Sequence, residues 1–197
     1  MSIRTATVER KTAETSVKLI LNLDGNGHGV IDSGIGFFDH MLNLMTAHGL
    51  MDLTLACDGD IDVDGHHSVE DIGITLGQAF KQAIGDKKGI RRYGTFYLPM
   101  DEALAFVSLD ISGRPFLVYD DGGEMAPMIG GYDTELTEEF LRAFAVNAGI
   151  TLHVCVLYGK NSHHKVEAIF KALGHALRIA VEKDPRVDGI PSTKGSL

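Results

Sequence analysis

The chain contains no tryptophan, only two cysteines and five prolines, and no run of 18 apolar residues. Cys57 and Cys155 have no Cys-x-x-Cys spacing, which excludes a disulfide framework and a thiolate zinc knuckle. Both sit in apolar segments and read as buried strand residues. The lack of a long apolar run excludes a membrane-spanning helix. The start, Met1-Ser2-Ile3-Arg4-Thr5, lacks the apolar core of a signal peptide, so the expected location is the cytosol. Positive charge is also scarce: 18 basic against 27 acidic side chains leave a formal net charge of −9. That balance argues against a nucleic-acid or anionic-membrane surface, and any phosphate must be met by a few placed basic groups. No serine or cysteine nucleophile motif is present, and Asp120-Asp121-Gly122-Gly123 has neither Walker nor dinucleotide spacing.

What the chain does have is histidine, nine in all, four of them in two copies of one pattern. His66-His67-Ser68-Val69-Glu70 returns as His163-His164-Lys165-Val166-Glu167, both His-His-x-Val-Glu. On a helix, His66 and Glu70 stack on one face while His67 lies about 100° round the axis, so one turn offers nitrogen in two directions and a carboxylate in one. Imidazole with carboxylate suits Mn, Fe or Zn. The plainer reading is a cluster of solvated polar residues at a helix start, but two chance copies are improbable at this composition.

The rest of the chain repeats around these segments. Thr5 to Lys11 and Ser16 to Asp24 alternate as strands. Phe37 to Gly49 is helical by its Phe37, Met41, Leu44, Met45 spacing and stops at Gly49. Met51 to Asp58 is a strand, and a helix from about His67 to Ile84 follows. After Lys87-Lys88-Gly89-Ile90-Arg91-Arg92 the order restarts. Tyr93 to Leu98, Ala103 to Asp110 and Pro115 to Tyr119 read as strands, Thr134 to Ala148 as a helix, Thr151 to Tyr158 as a strand, and the second His pair opens a helix to about Glu182. Cys57 and Cys155 lie 9 and 8 residues before their His pairs. The expected architecture is one α+β domain of two duplicated half-domains, residues 1–90 and 91–184, each with a small, mostly antiparallel sheet and packed helices. The tail 185–197 is non-helical, either a loose end or a segment that docks on a site.

By this duplication His40, 26 residues before the first pair, is the counterpart of Glu139, 24 before the second. Each metal can then draw on an early-helix residue, a His pair and a Glu, with positions left open for substrate. His48 lies near the face of His40 and can touch a ligand or answer the helix dipole. His153 reads as a core or supporting strand residue. Arg92, Arg114 and Lys194 are loop cations suited to phosphate, with solvated surface charge as the plainer reading. Glu14, between the first two strands, is placed for acid–base work or for a turn.

These residues together resemble the imidazoleglycerol-phosphate dehydratase family. The resemblance spans the chain: Arg10-x-Thr12-x-Glu14-Thr15, Gly36-Phe37-Phe38-Asp39-His40-Met41, His66-His67-x-x-Glu70-Asp71, Arg91-Arg92-Tyr93-Gly94, Pro99-Met100-Asp101-Glu102-Ala103, Ser112-Gly113-Arg114-Pro115, His163-His164-x-x-Glu167 and Pro191-Ser192-x-Lys194-Gly195. It implies halves of the ribosomal-protein-S5-domain-2-like type in a 24-subunit shell of trimers, with active sites between subunits and two Mn(II), or other divalent ions, in each. It implies dehydration of D-erythro-1-(imidazol-4-yl)glycerol 3-phosphate, a phosphorylated imidazole, through an imidazolate and a diazafulvene-like species. Metal binding would fall to His40, His66, His67, Glu70, Glu139, His163, His164 and Glu167, proton transfer to Glu14, substrate contact to His48, and phosphate binding to Arg92, Arg114, Ser192 and Lys194. Some members carry His where this chain has Glu139, so His153 or water would complete that corner if Glu139 turned away. A dinuclear hydrolase, which would release inorganic phosphate, and a metal-binding shell protein without turnover are the readings from other classes.

Overall fold

The computed structural model of the chain describes residues 4–195 and 197. Met1–Ile3, the start of the stretch read as lacking a signal-peptide core, and Ser196 lie outside the described residues. Strands β1 (Thr5–Lys11) and β2 (Thr15–Asn22) form a hairpin in which Val17, Leu19 and Leu21 are buried while Lys18 and Ile20 face out. Strand β3 (Gly29–Asp32), helix α1 (Gly36–Gly49), strand β4 (Asp52–Gly59) and helix α2 (His66–Ile84) complete the first half. The second half runs β5 (Tyr93–Met100), β6 (Ala103–Asp110), β7 (Phe116–Asp120), the two-residue strands β8 (Met128–Ile129) and β9 (Tyr132–Asp133), α3 (Leu136–Ala148), β10 (Thr151–Tyr158) and α4 (Ser162–Val181).

The two four-stranded sheets have the same topology, β1-β2-β4-β3 and β5-β6-β10-β7. In each, three strands are antiparallel and the last joins its neighbour in parallel, β3 with β4 and β7 with β10. The chain is therefore α+β with duplicated half-domains, as its sequence indicates. Strand β3 is absent from the sequence reading because its four residues, led by a glycine, are mostly exposed and carry no alternation. The cysteines are half-buried and are not counterparts. Cys57 pairs with Val17 and shares the inner side of β4 with Leu53 and Leu55, whereas Cys155 pairs with Phe106 and lies on the outer side of β10 with His153 and Leu157. The one-residue difference in their spacing to the His pairs turns one side chain to the other face.

Helix α2 lies on the first sheet and α4 on the second, while α1 packs on α4 and α3 on α2. Each helix pair thus joins the two halves. Glycines allow the close approach: a Cβ on Gly174 would stand 2.4 Å from the Met45 carbonyl, and one on Gly73 2.9 Å from that of Phe140. Helix α1 ends at Gly49, as its sequence indicates, but the residue in the left-handed region that caps it is Leu50, at φ 49°. Gly49 lies instead at the α1–α4 contact, where a Cβ would stand 3.4 Å from the Gly174 carbonyl. Between the halves Phe38, Phe140 and Phe170 meet at ring separations of 5.2–6.2 Å, all fully buried. Each contributes about 1.5–3 kcal/mol of burial. The non-helical tail lies back along residues 89–92, through Gly89 N–H to Gly189 O (2.8 Å) and Arg92 Nη1 to Pro191 O (2.9 Å).

Candidate metal centre

Helix α4 begins on Asn161, whose side chain accepts from the His163 N–H, and this places His163 and Glu167 one turn apart on the face that meets α1. His163 Nε2 is 3.0 Å and His40 Nε2 3.9 Å from Glu167 Oε2. One donor atom from each of the three lies within 4.8 Å of the others, the one such group among the described residues. Glu167 is buried, and Lys171 Nζ stands 2.5 Å from its second oxygen. Burial opposes the charge, but the ion pair with Lys171 and the bond to His163 outweigh it and hold the carboxyl below its ordinary value. Two imidazoles and one ionised carboxylate converging from two helices are a donor set that fits a divalent first-row ion.

The counterpart corner, between α2 and α3, is arranged differently. His66 is exposed and Glu70 half-buried. Glu139 accepts from Arg142 Nη1 at 2.9 and 3.2 Å, while Glu138 takes Nη2 at 2.6 Å.

The second histidine of each pair is oriented by a carboxylate. His67 Nδ1 lies 3.0 Å from Asp60 and its Nε2 3.9 Å from Glu14; His164 Nδ1 lies 2.7 Å from Glu102 and its Nε2 3.7 Å from Asp101. Hydrogen bonds to Asp60 and Glu102 raise the two imidazoles above the ordinary histidine value, and the His164 bond, with main-chain N–H groups, takes Glu102 down to about 2. Holding one ring nitrogen fixes the tautomer and presents the other. Glu14 and Asp101 both sit in the hairpins that open their halves, β1–β2 and β5–β6. Asp60, Asp101, Glu102 and Lys171 are absent from the sequence reading of the site. A search for carboxylates in the turn before each His pair would have found Asp60, whereas Asp101 and Glu102 reach His164 from the β5–β6 turn, 62 residues away in the chain for Glu102.

His48 lies roughly 12 Å along α1 from His40 by helix rise. Its Nδ1 meets His175 Nε2 at 3.2 Å, and His175 stacks on Phe96 at 4.1 Å. Burial lowers both imidazoles. Arg92 is buried, donates to Asp110 through Nε (2.6 Å) and Nη2 (3.0 Å), and lies over Tyr93. Exposed Arg114 approaches the same carboxylate at 3.8 Å. The Arg92 bond to Pro191 brings the segment bearing Ser192 to this group, whereas Lys194 is exposed and its N–H donates to Ser192 Oγ. His153 points outward from β10. Among the described residues no hydrogen bond or ion pair joins the Arg92–Asp110 group to the His40–His163–Glu167 cluster.

Comparison with known proteins agrees with this geometry. The family model described as imidazoleglycerol-phosphate dehydratase matches residues 33–177. A Clostridium botulinum protein of that name is 62% identical over 192 residues, 98% of this chain and 97% of the relative. One from Acetivibrio thermocellus is 58% identical over 191 residues, 96% and 97% of the two chains. The crystal structure of imidazoleglycerol-phosphate dehydratase from Staphylococcus aureus superposes with TM-score 0.83 at 42% identity, covering 91% of this chain and 99% of that one. That from Pyrococcus furiosus, in complex with (S)-C348, gives 0.82 at 35%, covering 96% and 100%. With its duplicated halves, its paired His-His-x-Val-Glu segments and full-length relatives at this identity, the chain belongs to the imidazoleglycerol-phosphate dehydratase family.

Proposed function

We propose that the chain removes water from D-erythro-1-(imidazol-4-yl)glycerol 3-phosphate to give 3-(imidazol-4-yl)-2-oxopropyl phosphate, a step of histidine biosynthesis, with two Mn(II) ions in each active site. The observation that supports this most is the convergence of His40, His163 and Glu167 in a chain whose curated relatives bear that activity in their names. On this reading His40, His163 and Glu167 hold one ion, and His66, Glu70 and Glu139 contribute to the other. His67 and His164 add further nitrogen, with the active sites lying between subunits of a 24-mer built of trimers. The reading takes residues 1–90 and 91–184 as the repeats and the cytosol as the location. Bound ions supply an electron sink at the substrate's imidazole, which makes loss of an otherwise non-acidic C–H proton feasible.

The chain's own residues do the remainder. Glu14 takes the carbon-bound proton, and the hydroxyl on the adjacent carbon leaves as water once it gains a proton. The enol so formed tautomerises to the ketone. Arg114, Ser192 and Lys194 hold the phosphate, with Arg92 placing the tail segment, and His48 contacts the substrate. Loaded with Mn(II), the assembled protein is expected to form the ketone without releasing inorganic phosphate. EDTA should stop it, and His163→Ala should lower the rate about 100-fold or more. Phosphate release, or no turnover by Mn-loaded assembled protein, would overturn the reading.

A further inference from the structure

Lys165, inside the second His-His-x-Val-Glu segment, is only 1% exposed and forms no ion pair among the described residues. Its ammonium donates instead to three main-chain carbonyls, Gly123 at 2.7 Å, Glu124 at 3.1 Å and Asp121 at 3.5 Å. The stem passes Gly159, where a Cβ would lie 3.1 Å from Lys165 Cγ. Three N–H bonds match three acceptors, yet burying an ammonium without a counter-ion costs several kcal/mol before those bonds offset it. A charge kept at such a place points to something it organises.

The duplication shows what differs. The equivalent residue on α2 is Ser68, also fully buried, whose Oγ has no hydrogen-bond partner among the described residues. In the first half only residues 33–35 separate β3 from α1, whereas residues 121–135 separate β7 from α3. The cation thus occurs in the half that has the long connection, and it gathers the carbonyls at the start of that connection. Further bonds fix the remainder: Ala126 N–H to Ser162 Oγ (2.8 Å), Thr134 Oγ1 to Ala126 O (2.9 Å), and Tyr132 Oη with Thr137 Oγ1 (3.0 Å). The connection delivers the buried Tyr132 ring to 5.2 Å from Phe37, which in turn meets the His163 ring in a T-shaped contact at 5.1 Å.

We propose that Lys165 is a positioning residue for the His40–His163–Glu167 cluster. By gathering the carbonyls of residues 121–124 it fixes the 121–135 connection, and with it the Tyr132–Phe37 contact that orients the His163 ring. This rests on the metal reading of the cluster.

The test uses Co(II) as probe, titrated into the intact assembled protein and followed by visible absorption. Lys165→Met should weaken Co(II) binding roughly tenfold, in the range seen for groups that orient a ligand, and shift the absorption bands. Tyr132→Leu should do the same, and the double variant should lose little more than either alone, because both act through one connection. Where Lys165→Met does not fold, Thr134→Val, which loosens the same connection, should weaken binding in the same direction. Lower thermal stability with wild-type Co(II) affinity and spectrum in Lys165→Met, or full additivity in the double variant, would overturn the proposal. His163→Ala separates the two levels. If it binds Co(II) as wild type does, the metal reading falls and the proposal with it; if it loses the ion while Lys165→Met matches wild type, only the role of Lys165 falls.

Discussion

The α1–α4 and α2–α3 contacts are equivalent by topology, and each joins the halves through glycines at close approach. At the first, His40, His163 and Glu167 draw together; at the second, His66, Glu70 and Glu139 do not form such a group among the described residues. Two neighbours account for the difference. Four residues after Glu167 stands Lys171, which holds that carboxylate ionised and aimed, whereas four after Glu70 stands Ile74. Three residues after His40 stands Asn43, but three after Glu139 stands Arg142, which claims its carboxylate. A repeated donor pattern therefore does not give identical sites; the residue one turn further along decides where a carboxylate points.

The strongest way to break this comparison is at the glycines. Gly174→Ala pushes a methyl into the Met45 carbonyl and Gly73→Ala into that of Phe140, so each should cost about 1–3 kcal/mol in denaturant unfolding. Gly174→Ala should also abolish ion uptake at the His40 cluster in a metal titration, while Gly73→Ala should leave that uptake in place. Equal loss in both would show that the corners are not separate. A smaller effect is expected from Arg142→Asn, which copies α1 into α3. Stability should change by no more than about 1 kcal/mol, as for an exposed ion pair, while Mn(II) binding strengthens a few-fold when Glu139 is released. Unchanged binding would mean that Arg142 is not what holds Glu139 away.

The smallest effect serves as a control. Arg4 donates to Asp24 and to the Val181 carbonyl, a link between the halves remote from both corners. The side-chain bond from Arg4 holds the Asp24 carboxyl below 3.8. A depressed carboxylate stabilises the fold above its unfolded value, and that contribution disappears as pH falls through the folded one. Asp24→Asn should accordingly lower stability by about 0.2–1 kcal/mol at pH 7 and by progressively less as pH falls through the folded value, with ion binding unaltered. A difference that does not shrink as pH falls would assign the loss to something other than the charge.

Much of this was legible in the chain. Period-two alternation marks β1, β2, β6 and β10, 3.6-residue periodicity marks the helices, and the repeated His-His-x-Val-Glu fixes the correspondence of the halves. What escaped has physical reasons. Strand β3 and the β8–β9 hairpin are too short and too exposed to show a period. The turn of Glu139 toward Arg142 is a choice between nearby partners that spacing does not encode. Asp60 and Glu102 reach their histidines from turns, 7 and 62 residues away in the chain. The cysteines mislead because a one-residue offset is invisible in a spacing count but reverses a strand side chain.

Because α1 docks on α4 and α3 on α2, the His40 cluster takes its donors from both ends of the chain, His40 from one half and His163 and Glu167 from the other. Contacts this distant in sequence carry a large loop-closure cost and are expected to form after the local pairings of each half. An ion captured by such a cluster finds no preformed site in the partly folded chain, so it acts mainly as a brake on unfolding and does little to speed folding. An ion held there would make the duplicated halves a clasp, sealing the join with no part in making either side.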